Sequence, residues 1–106
     1  MTQLWAMQRA NGDWFALDDH GDFRVPVFQS SRDAMQARAF NVEMLVFYPV
    51  TVDETALKDL GRVNGSGPSH FWLVDHETAN LKRGHRLDHA ELTRLAHEPG
   101  RGNGNG

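Results

Sequence analysis

The sequence predicts an α+β domain of two layers, a mixed β-sheet of about five strands with about three helices, in the order β-β-β-α-β-α-β-α. Three observations predict it. The first thirty or so residues carry short apolar stretches broken by turn residues, as in WAMQRANGDWFALDDHGDFRVPVF. Three later stretches each begin with a helix-capping residue: Ser30, Thr51 and Asp88. Between them stand two strong strand signals, EMLVFYPV and SHFWLVD.

The opening segment QLWAMQR ends before Asn11-Gly12. Asn-Gly tolerates the positive φ angles of a two-residue hairpin turn. That turn sets Arg9 opposite Trp14, Met7 opposite Ala16 and Trp5 opposite Asp18. Trp5, Met7, Trp14 and Ala16 then share one face, and Leu4, Ala6, Phe15 and Leu17 share the other. DDHGD, residues 18–22, reads as a second, solvated turn, since Asp, His and Gly accept left-handed geometry. FRVPVF follows as a strand, and Pro26, lacking an N–H, places it at a sheet edge or a bulge.

Ser30 opens the first helix, SRDAMQARAF. Thr51 and Glu54 form a T-x-x-E capping box for the second, and Gly61 stops it. The loop NGSGPS leads to the SHFWLVD strand, GHRL is a short extra strand, and Asp88 with Glu91 opens the last helix. Residues 1–98 are expected to form one domain, and 99–106, PGRGNGNG, a disordered tail with nothing to bury.

"FALDDHGDFRVPVFQSSRDAMQAR" and "FWLVD…LKRGHRLDHAELTRL" resemble the strand, acidic turn, strand-to-helix step and closing strand, loop and helix of SseB N-terminal-type domains. Related small bacterial domains of unknown function share this layout. The resemblance spans most of residues 4–96. It implies an α+β fold and no defined catalytic residues, and it carries none over to this chain.

Composition excludes several functions. The 106 residues include no Cys, so neither disulfide nor thiolate chemistry applies, which fits a reducing, cytoplasmic setting. No basic region precedes an apolar run at the N-terminus, and no stretch approaches about 20 apolar residues, so neither signal peptide nor membrane span is expected. The net charge of −3 does not suggest a surface for nucleic acid.

Metal binding is not expected. His85 and His89 have helical i, i+4 spacing, but Asp88 as the cap leaves His85 outside the helix. The Asp18, Asp19, His20 and Asp22 cluster lacks the ligand order of a calcium loop. No cofactor motif is present: the glycines of GRVNGSGPS have no Walker lysine.

Two alternatives stay open beside a binding role. Asp75 and His76 end the SHFWLVD strand, where a small hydrolase-like enzyme keeps acid–base groups. Lys82, Arg83, His85 and Arg86 fill one loop, which could hold nucleic acid weakly.

The function expected first is a non-catalytic protein-interaction or regulatory module with a protein partner or a second copy of itself. With Trp5, Met7, Trp14, Ala16, Phe23, Val25 and Val27 turned toward the helices, the other face carries Leu4, Ala6, Phe15, Leu17 and Phe28, interrupted by Gln8, Arg24 and Pro26. That mixed face is the expected partner surface.

Overall fold

The computed structural model describes residues 3–19, 22–60, 70–76 and 80–97. Six strands, β1 (Trp5–Arg9), β2 (Leu17–Asp19), β3 (Asp22–Phe28), β4 (Phe47–Thr51), β5 (His70–Val74) and β6 (Gly84–Leu87), form one mixed sheet. Three helices accompany them: α1 (Ser31–Phe40), α2 (Glu54–Leu60) and α3 (His89–His97). The sheet is open, with strands ordered β4-β1-β3-β5-β6 and β2 paired to β3 beside β1. All pairings are antiparallel except β3 with β5. This is the α+β class that the sequence predicts.

The first hairpin differs from expectation by one residue. The Gly12 N–H donates to the Arg9 carbonyl and the Arg9 N–H to the Asp13 carbonyl, each at 2.9 Å. The loop is therefore Ala10-Asn11-Gly12, with Gly12 at φ +96°, the pattern of a type I turn followed by a left-handed glycine. Asn11 Oδ1 accepts the Asp13 N–H at 2.9 Å and supports the bend from within. The extra loop residue sets Gln8, not Arg9, opposite Trp14. Side chains alternate with a period of two, so this one step moves every later side chain of the returning strand to the other face.

The faces re-sort accordingly. Leu4, Ala6, Trp14, Val25, Val27 and Phe71 pack against Ala56, Leu57 and Leu60 of α2 and Leu92 of α3. Met7, Phe15 and Phe28 pack on the opposite face against Ala34 and Ala37 of α1, with Met44, Phe47, Val74 and Leu81. Both faces of the sheet are thus covered, and the two layers expected become three. Ala34 and Ala37, both fully buried, let α1 lie close to the sheet.

Pro26 is buried in the interior strand β3, not at an edge. On its β1/β2 side, β3 pairs through Arg24 with β2 and resumes at Val27 with β1. Val25 and Pro26 lie between these two ladders, where the missing N–H breaks no ladder bond on that side.

The helix starts follow the sequence closely. Ser30 Oγ accepts the Asp33 N–H at 3.0 Å. Asp88 and Glu91 form a reciprocal capping box, Glu91 N–H to Asp88 Oδ1 at 2.8 Å and Asp88 N–H to Glu91 Oε1 at 3.1 Å. His85 belongs to β6 and His89 to α3. For α2 the cap is Asp53, whose Oδ1 accepts the Ala56 N–H at 2.9 Å; Thr51 ends β4. In the acidic bend, Asp19 pairs opposite Asp22. His20, Gly21, the NGSGPS loop and the tail from 98 lie outside the described residues.

Candidate functional site

The expected partner surface is not a surface. Leu4, Ala6, Phe15 and Phe28 are all buried, at 5% exposure or less, and Leu17 is half-buried against the α1-side core. They do not even share a face: Leu4 and Ala6 look toward α2 and α3, Phe15, Leu17 and Phe28 toward α1. The one-residue longer hairpin loop separates them, and α1 covers the face left open in a two-layer reading.

Exposed large hydrophobic side chains occur elsewhere, in the stretch from α1 into β4. Among the described residues, Met35, Phe40, Val42, Leu45, Val46 and Tyr48 are the large hydrophobic side chains left open. Local geometry explains them. Asn41 ends α1, its Nδ2 donating to the Ala37 carbonyl at 2.7 Å. Val42–Met44 then form a 3-10 turn, with Met44 N–H to the Asn41 carbonyl and Leu45 N–H to the Val42 carbonyl. A three-residue period points one side chain in three inward. Asn41, Met44 and Phe47 take those places, so Val42, Glu43, Leu45 and Val46 face out. Of EMLVFYPV, expected to be a strand throughout, only the residues from Phe47 onward belong to β4.

Arg38 ties this surface together. Its Nη2 donates to the Leu45 carbonyl at 2.6 Å, and its guanidinium lies 5.3 Å from the Tyr48 ring centroid. Glu43 stands exposed on the same turn and makes no ion pair among the described residues. Beside Phe40 opens a cleft of about 360 Å³ lined by Leu17, Arg24 and Leu81 among others.

A second, polar site sits at the carboxyl ends of β3 and β5. These two strands run parallel, so the starts of the segments that follow them meet, the place where open sheets commonly form crevices. Asp33, in the first turn of α1, is buried, and its Oδ2 accepts from His76 Nδ1 at 2.7 Å. His76 is 55% exposed. Ser30, Arg32 and Gln36 complete a cleft of about 550 Å³. A buried carboxylate on Nδ1 fixes the imidazole tautomer. For hydrolysis a nucleophile is also required, and Ser30 Oγ here serves as the helix cap.

The residues named from the strand end divide. His76 joins this pair, while Asp75 is exposed and donates its backbone N–H to the Arg83 carbonyl at 2.9 Å. Asp33 was visible in the sequence only as a helix-start residue. Its partner lies 43 positions away, and no local pattern signals their meeting.

The basic loop is also dispersed. Arg86 Nη2 lies against the His70 ring at 2.9 Å, and Lys82 lines the cleft beside Phe40 together with Asp18 and Glu43. Arg86 stands opposite Trp72 in the β5–β6 pairing, and His85 opposite Leu73. No group of three or more metal-ligating side chains occurs among the described residues, and none of their helices is long and apolar enough to cross a membrane. No family model, curated protein or solved structure matches the chain.

Proposed function

We propose that the protein is a non-catalytic interaction module that docks another polypeptide through the surface formed by the end of α1, the 3-10 turn and β4. One observation supports this above the rest: Phe40 and Val42 are 77% and 76% exposed, and four further large hydrophobic side chains accompany them within fourteen residues. A stable core does not require this exposure, because both sheet faces are already covered. The SseB-type resemblance points the same way, since it brings no catalytic residues.

The test is a photoreactive benzoylphenylalanine placed at Phe40, with the same residue at the exposed Lys58 of α2 as control. Irradiation in the native host should give a covalent adduct with a polypeptide at position 40 and none at 58. Failure to capture any polypeptide at 40, or equal capture at both positions, would discard this reading.

A further inference from the structure

We propose that His76 is a phosphoryl acceptor: its Nε2 takes a phosphoryl group from a phosphoramidate-type donor and holds it in the cleft lined by Ser30, Arg32 and Gln36. This goes beyond the docking reading and does not depend on it.

The pair with Asp33 is the first argument. Asp33 stands in the first turn of α1 with its side chain 3% exposed, and its Oδ2 lies 2.7 Å from His76 Nδ1. An ionised carboxylate only accepts, so Nδ1 carries the proton and Nε2 the lone pair. Attack through Nε2 gives the ring a positive charge. The carboxylate that already holds Nδ1–H balances that charge, and its burial strengthens the attraction because little water screens it. His76 itself is 55% exposed, so the ring is open to a donor in solution. His76 is the nucleophile and Asp33 the positioning residue.

The cleft is the second argument. At about 550 Å³ it falls within the about 300–1,000 Å³ of small-molecule sites. Arg32 and Gln36 stand four apart on α1 and so share one face of the helix. Ser30 Oγ accepts the Asp33 N–H and has its hydroxyl proton to give. A guanidinium, an amide and a hydroxyl suit a group with three acceptor oxygens. Among the described lining residues Arg32 is the fixed cation, and the anion, Asp33, is turned to His76.

The step balances. The Nε2 lone pair forms the new N–P bond, the donor's own P–N bond breaks, and ammonia leaves with that electron pair. Nδ1 keeps its proton and nothing is oxidised or reduced. The product is a phosphoimidazolium ring against the Asp33 carboxylate.

The test is incubation of the full chain with potassium phosphoramidate, followed by mass spectrometry and phosphorus NMR. His76 should be phosphorylated at Nε2 at least about tenfold faster than His85, which is exposed on β6 and serves as reference. His76→Gln should remove the fast adduct. Asp33→Asn presents an amide that donates to Nδ1 and moves the ring proton to Nε2, so it should slow the reaction at least about tenfold. Nitrogen NMR of the ring reads that change of tautomer. Arg32→Ala should slow the reaction about three- to tenfold and leave the tautomer as it is. Circular dichroism melting confirms folding of each variant.

A wild-type His76 no faster than His85 overturns the proposal, as does a folded Asp33→Asn with an unchanged rate. If Asp33→Asn does not fold, an unchanged rate in Arg32→Ala overturns it instead. Steady release of inorganic phosphate with no lasting adduct would make the pair a hydrolytic site and also overturn it.

Discussion

Gln8 lies opposite Trp14, one place from the Arg9–Trp14 pairing of a two-residue Asn-Gly turn. This single step decides which half of the first hairpin faces α1 and which faces α2 and α3. It rests on Gly12, held at φ +96° with nothing within 4 Å of where a Cβ would stand. The strain of a substitution there is purely conformational.

Gly12→Ala should therefore cost about 1–2 kcal/mol, the penalty for an L-residue in left-handed geometry. Urea denaturation measures it. A loss below about 0.3 kcal/mol would mean that the loop relaxes to another register.

Phe15 and Phe40 should respond oppositely to the same change. Phe15 is 5% exposed and meets Phe47 edge-on at 5.2 Å between centroids, so Phe15→Lys buries a charge and should abolish folding. Phe40→Lys should cost under about 1 kcal/mol, as at other surface positions. Far-ultraviolet circular dichroism of the two variants is sufficient, and a folded Phe15→Lys would contradict the assignment of the faces.

Gly84 should tolerate no side chain. A Cβ there would stand 2.2 Å from the Leu73 carbonyl oxygen and 2.8 Å from Trp72 Nε1. The carbonyl belongs to the β5 backbone, so relief requires β6 to move away. Gly84→Ala should cost at least about 2 kcal/mol, at the upper end of overpacking effects, with faster amide exchange in β6 as the local sign. Unchanged exchange at His85 and Leu87 would refute it.

His76→Ala should cost about 1–2 kcal/mol, because the buried Asp33 carboxylate loses a donor while its burial is unchanged. The cost stays moderate since His76 is 55% exposed and water can enter its place. Thermal denaturation reads the difference, and no change would show that the pair adds nothing to stability.

Most elements were legible where short-range chemistry determines them. Ser30 and the Asp88–Glu91 box open α1 and α3 as read from the sequence, and GHRL forms β6. The faces were not legible, since Asn11-Gly12 is compatible with a two- or a three-residue loop and the difference inverts everything after it. The 3-10 turn was hidden inside an apolar run that strand and turn explain equally well. The Asp33–His76 pair depends on β3 and β5 lying side by side and parallel, which composition and spacing do not reveal.

That parallel pairing also sets the order in which the molecule can be completed. Val25 pairs with Phe71, so the central strand receives its second neighbour only after most of the chain has been synthesised. The core between sheet, α2 and α3 joins Leu4 to Leu92, nearly the whole described length. Such distant closures are slow, because the chain entropy is lost before the contacts form. The N-terminal half therefore leaves the ribosome with Ala6, Val25 and Val27 uncovered by β5 and α3. Until the last helix arrives those side chains lack part of their cover, and a fragment ending at Leu60 would never gain it.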